Sequence, residues 1–101
     1  MKISFDFDLL DLSGKEIPNS NMGKLVANAL AGSQQKGTKA LKFMEIARKL
    51  YSEGKVDVDF ADYSDLKTFI ENDANLPVIS QAQILEAMEY AKEVSKKEEK
   101  N

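Results

Sequence analysis

The first nine residues alternate. Ile3, Phe5, Phe7 and Leu9 are apolar, and Lys2, Ser4, Asp6 and Asp8 lie between them, the period-two signature of a half-buried strand. The pair Ser13–Gly14 makes a turn, and Lys15–Ile17 returns as a second short strand before Pro18 interrupts the ladder. Beyond Pro18 most of the chain carries a helical period instead. A hairpin on its own is marginal in water, so the Phe5–Phe7 face has to rest on those helices. The expected fold is α+β: a small single domain with an N-terminal β-hairpin packed on three to four α-helices.

The helices are legible from their ends. Asn19, Ser20 and Asn21 are all good N-caps, and Met22, Leu25, Val26, Ala29 and Leu30 fall on one stripe after them, up to a stop near Gly32. Residues 32 to 37, GSQQKG, read as a polar connector. Thr38 is the expected cap of a second helix, in which Leu41, Phe43, Met44, Ile46, Ala47, Leu50 and Tyr51 are apolar. So wide a stripe places that helix at the centre of the core, and Gly54 ends it. Residues 55 to 58 are a candidate third strand. Asp59 and Asp62 then form a variant capping box, with Val58 and Tyr63 at staple spacing, opening a third helix that ends near Asn72. Ser80 is the expected cap of a last helix that turns Ile84, Leu85, Met88 and Ala91 inward. One domain over residues 1–94 results, and the charged run 95–101 should fray.

What holds such a chain together must be packing alone. Its 101 residues include no cysteine and no histidine, so there is no disulfide framework and no cysteine or histidine ligand for a structural zinc. Serine–histidine and cysteine–histidine nucleophilic machinery is excluded with them. With 43% hydrophobic and 31% charged residues, the composition is that of an ordinary globular domain able to build its own core. No apolar run is long enough to span a bilayer, and the N-terminus lacks the apolar block of a signal peptide. A cytoplasmic protein without membrane contact is expected. The net charge of −3 lacks the basic excess of a polyanion binder.

Several short stretches invite a chemical reading. FDFD, with Asp6 and Asp8, resembles the first motif of the haloacid-dehalogenase phosphatases, but Leu9 and Leu10 stand where that motif continues Gly-Thr. Strand alternation explains the spacing by itself. An EF-hand starting at Asp6 fails at its fifth, sixth and twelfth positions, which are Leu10, Asp11 and Ile17. GSQQKGTK has the glycine spacing of a P-loop yet ends Thr-Lys, and it follows a helix rather than a strand. Asp57, Asp59, Asp62 and Asp65 could bind a cation or mimic phosphates, but three of the four fit a helix cap and first turn, where the macrodipole favours acids. No catalytic residue, metal ligand or cofactor site emerges, and the expectation is that the protein is not an enzyme.

Two sets of surface residues remain. Lys39, Lys42 and Lys49 share one face of the second helix, a candidate nucleic-acid face. Tyr51, Phe60 and Tyr63 are candidate interface aromatics. The element order, with the phrases DLSGKEI, LVANAL, ALKFMEIARKLY, DYSDLKTFIEN and LPVISQAQILEAME, resembles small uncharacterised proteins encoded by tailed bacteriophages and prophages. That resemblance implies a helper, assembly or regulatory role in a bacterial host, exercised on a phage structural or assembly protein. The leading expectation is a non-enzymatic protein acting through protein–protein interaction. The alternative is a nucleic-acid-associated regulator using the basic face of the second helix.

Overall fold

The computed structural model describes residues 1–99. Its elements run β1 (Lys2–Ser4), β2 (Asp8–Leu10), β3 (Glu16–Asn21), α1 (Met22–Ala31), α2 (Thr38–Glu53), β4 (Lys55–Asp57), α3 (Phe60–Asn72) and α4 (Val78–Glu99). This is an α+β domain of four helices and two antiparallel two-stranded sheets, its N-terminal hairpin packed on the helices.

The alternating N-terminal segment is two strands, not one. β1 pairs with β4, bringing Ile3 opposite Val56, so the expected third strand exists and its partner is the very start of the chain. β2 pairs with β3 across an irregular register, and this is the N-terminal hairpin. Pro18 lies inside β3, within the irregular stretch, where the ladder does not need its missing N–H.

The break between β1 and β2 has a local cause. The first turn of any helix carries N–H groups without helical partners. Here the Phe7 carbonyl accepts from the Met22 N–H at 2.8 Å, and the Phe5 carbonyl from the Gly23 N–H at 2.9 Å. Phe5 still donates to the Gly54 carbonyl at 2.8 Å, and the chain then bends through residues 6–7 to cap α1 instead of continuing the ladder. Two glycines make this crossing possible. A Cβ on Gly23 would sit 3.0 Å from the Leu50 carbonyl oxygen, and one on Gly54 would sit 2.7 Å from Asp6 Cβ. Gly54 also has a φ of +74°, which ends α2 in the left-handed conformation.

Most helix ends follow their sequence signals. The Asn21 side chain accepts from the Lys24 N–H at 3.0 Å, and Asp59 accepts from the Asp62 N–H at 2.7 Å above a buried Val58–Tyr63 staple. Two caps differ from expectation. Gly37, not Thr38, precedes α2, with φ +64° and no side-chain cap. α4 starts at Val78 directly after Pro77, which leaves Ser80 buried in its first turn instead of capping it. The charged run from Ser95 continues α4 as far as Glu99; the rest of that run lies outside the described residues.

The core is a single cluster extending from Ile3 and Phe5 to Met88 and Ala91. Phe43 and Phe69 meet edge to face with ring centroids 5.4 Å apart, joining α2 to α3. The Gln83 carboxamide joins the hairpin to α4. It accepts from the Leu10 N–H at 2.9 Å and donates to the Leu10 carbonyl at 2.8 Å, standing in for a neighbouring strand along the outer edge of β2. No helix among the described residues is long and apolar enough to cross a membrane.

Candidate functional site

Most of the residues the sequence singles out as candidate surface sites are carried by α2. Sixteen residues long, it turns Phe43, Ile46, Ala47 and Leu50 into the core. Its remaining positions form two flanks of different chemistry, because residues three, four and seven apart stack on one face.

The first flank carries Lys39, Lys42 and Lys49 toward α3 and the β1–β4 ribbon. The sequence places the three on one face, and within the fold each has an intramolecular neighbour. Lys42 Nζ lies 2.8 Å from Asp62 Oδ1, and that hydrogen bond, reinforced by the Asp62 charge, holds the lysine pKa above its ordinary value. Lys49 faces Glu53 one turn on, at 3.6 Å. Lys39 Nζ sits 5.7 Å from the Phe43 ring centroid, within cation–π range. An open groove of about 790 Å³ runs along this flank, with Lys2, Lys42, Arg48, Lys49 and Lys55 interleaved among Glu45, Glu53, Asp57 and Asp62. Opposite charges alternate around the groove, so it has no strong potential of either sign to focus on a polyanion.

Three of the four aspartates in the acidic segment at the end of the groove have structural roles. Asp57 lies 3.0 Å from the Met1 nitrogen, Asp59 caps α3, and Asp62 holds Lys42. Among the described residues no group of three acidic side chains converges where a metal ion would sit.

The second flank is apolar and open. Leu41, Met44 and Tyr51 are 70%, 40% and 55% exposed, with Arg48 the one charge among them. These four positions fall within about 80° of arc at 100° per residue. This corrects the sequence reading for Leu41 and Met44, which it assigned to one broad core-facing stripe; Tyr51, in that stripe but also a candidate interface aromatic, is on the surface. Lys24 on α1 places its Nζ 5.4 Å from the Tyr51 ring centroid, so one ring face is occupied while the side chain remains on the surface.

The candidate interface aromatics divide accordingly. Tyr51 lies on the open flank, and Phe60, 68% exposed, lies at the start of α3. Tyr63 belongs to the core instead. It is buried, and its hydroxyl donates to the Met88 carbonyl at 2.9 Å. Burial, with a lesser contribution from Glu89, pushes its pKa up. Leu41 and Met44 are the surface residues that sequence reasoning missed. The available signal was the width of the apolar arc on α2, which at about 220° exceeds what one buried face needs. No protein-family model, no curated protein and no solved structure matches the chain.

Proposed function

We propose that this is a non-enzymatic interaction protein of the assembly or regulatory kind suggested by its resemblance to phage and prophage proteins, working in the cytoplasm of a bacterial host. The observation that supports this reading is the open flank of α2. Three large apolar side chains stand together on one helix, next to a core in which, among the described residues, no buried side-chain polar atom lacks a partner. Contiguous apolar surface on a soluble domain marks a contact site, and an amphipathic helix face presented at this spacing suits a helix or groove on a protein partner. The chemistry of the chain points the same way, since neither a histidine nor a cysteine is present to serve as base or nucleophile.

The nucleic-acid reading rests on the shared face of Lys39, Lys42 and Lys49. It has less beneath it, because Lys42 and Lys49 already face carboxylates within the groove. Duplex DNA binding that weakens steeply with added salt would revive it.

The test is affinity capture with the tagged protein in cells carrying the source genome, in parallel with the exposed variants Leu41→Glu and Tyr51→Glu. Capture of a virion or assembly protein that persists at high salt and is lost in both variants is the expected result. Capture that ignores both substitutions would remove α2 from the proposal.

A further inference from the structure

We propose that the groove between β4 and α2 takes a short extended segment of a partner protein as a third strand, added antiparallel to the free edge of β4. This does not depend on the open flank of α2, which occupies a different arc of that helix. The register of the β1–β4 ribbon fixes which main-chain groups are left over. In an antiparallel ladder successive residues turn their N–H and C=O alternately toward the partner strand and away from it. Met1 and Val58 exchange both bonds, at 2.9 Å each, and the Phe5 N–H donates to the Gly54 carbonyl at 2.8 Å. Ile3 lies opposite Val56 between them, so residues 54, 56 and 58 face β1. Lys55 and Asp57 therefore point their N–H and C=O outward. At β2 the fold answers the same situation with the Gln83 carboxamide. Among the described residues it supplies no such group to the outer edge of β4.

That edge opens on the groove. Lys55, Val56, Asp57 and Val58 all line it, although their side chains alternate between the two faces of the ribbon. A groove touching all four runs along the edge of the strand and not over one face. Ile46, Val56 and Val58 are buried beneath it and give it an apolar floor, and α2 forms the far wall. An added strand sets alternate side chains on that floor and the others beside Lys55 and Asp57.

Charge narrows the occupant further. Asp57 is already held by the Met1 nitrogen, whereas Lys55 forms no ion pair among the described residues. The segment that fits carries apolar side chains at alternate positions and an acid opposite Lys55. Its main chain both donates and accepts, as the edge requires, and its alternate side chains supply the selectivity. A nucleic-acid phosphate only accepts. Because β4 has three residues, the contact is short and its affinity low, near about 1 mM.

Titration of the isotope-labelled chain with acetyl-Val-Thr-Val-Glu-amide tests this by NMR, since antiparallel pairing sets Glu opposite Lys55 and Thr opposite Asp57. The Lys55 and Asp57 amides should shift and exchange more slowly as peptide is added. N-methylation at Thr and Glu, whose N–H groups face β4 in this register, should abolish binding, and N-methylation at the two Val residues should leave it unchanged. Lys in place of Glu should weaken binding about fivefold, and Lys55→Glu, a surface change, should reverse that preference. No response at Lys55 and Asp57 would overturn the proposal, as would binding indifferent to which nitrogens are methylated. Shifts confined to Leu41, Met44 and Tyr51 would also overturn it, while leaving the open flank as a contact site.

Discussion

The two flanks of α2 differ in what the rest of the chain supplies to them. On the lysine flank, Lys42 meets Asp62, Lys49 meets Glu53, and Lys39 lies over Phe43. Each charge is answered from within the domain. On the other flank Leu41, Met44 and Tyr51 remain partly exposed, with the Lys24 ammonium against the Tyr51 ring. The helix is the same and the spacing rules are the same. The flank whose groups are already satisfied has an intramolecular account, and the flank whose groups are not is the better candidate for function. A basic face counted from sequence is therefore weak evidence for nucleic-acid binding until its carboxylate neighbours are known.

The sharpest way to break this comparison is to truncate one apolar side chain from each side of the helix. Phe43→Ala, which removes a buried ring packed on Phe69, should cost about 3–5 kcal/mol. Leu41→Ala, two residues earlier, should stay within about 0.5 kcal/mol of wild type. Urea unfolding measures both, and similar losses would mean that the open flank is covered after all. Next in size is Gly54→Ala, which both forces a Cβ into Asp6 and occupies a positive φ. A loss of about 2–4 kcal/mol is expected; tolerance of this change would show that the end of α2 is not pinned by the β1 crossing.

The tyrosines sharpen the contrast further. Tyr63→Phe removes a buried hydrogen bond and should cost about 1 kcal/mol, while Tyr51→Phe should be silent in the isolated chain. The Tyr63 pKa is raised in the folded state, so the folded protein holds that proton more tightly than the unfolded chain. Its contribution to stability is complete below the ordinary value of 10.0 and is lost as pH rises through the folded-state value. Melting temperature should therefore fall above about pH 10, with a shallower fall in Tyr63→Phe. Identical alkaline limbs would contradict the assignment.

The smallest effect belongs to Lys42→Met. The Lys42 pKa is also raised by its partner, so the pair contributes below the ordinary lysine value of 10.5 and loses its contribution as pH rises beyond it. A slight loss of stability at neutral pH that vanishes at high pH is expected in thermal melts. Affinity for duplex DNA, read by anisotropy at low salt, should not change.

Much of the fold could be read from residues that act locally. Asn21, Gly32, Gly54 and Asp59 mark their helix ends because caps and left-handed stops depend on a few neighbouring atoms. The division of the alternating N-terminal segment could not be read, because its cause is remote. The Phe5 and Phe7 carbonyls supply acceptors to the first turn of α1, and the ladder ends after the Phe5–Gly54 bond; nothing in the alternation signals that demand. Thr38 and Ser80 misled for a related reason: cap preference ranks candidates, but Gly37 and Pro77 set where the backbone turns. The site was half legible. Lys39, Lys42 and Lys49 do share a face, yet their partners lie four to twenty residues away along the chain. The apolar arc of α2 was visible, but periodicity gives only its width and not which part the neighbouring elements cover.

Site-specific photocrosslinking from the two flanks tests the central claim most directly. A benzophenone side chain placed at Met44, on the open flank, is compared in the source cells with one at Lys39, on the lysine flank. Specific adducts from position 44, with a virion or assembly protein, and none from position 39 are the expected result. Adducts from position 39 alone, or equal labelling from both, would contradict the assignment of the open flank as the contact surface.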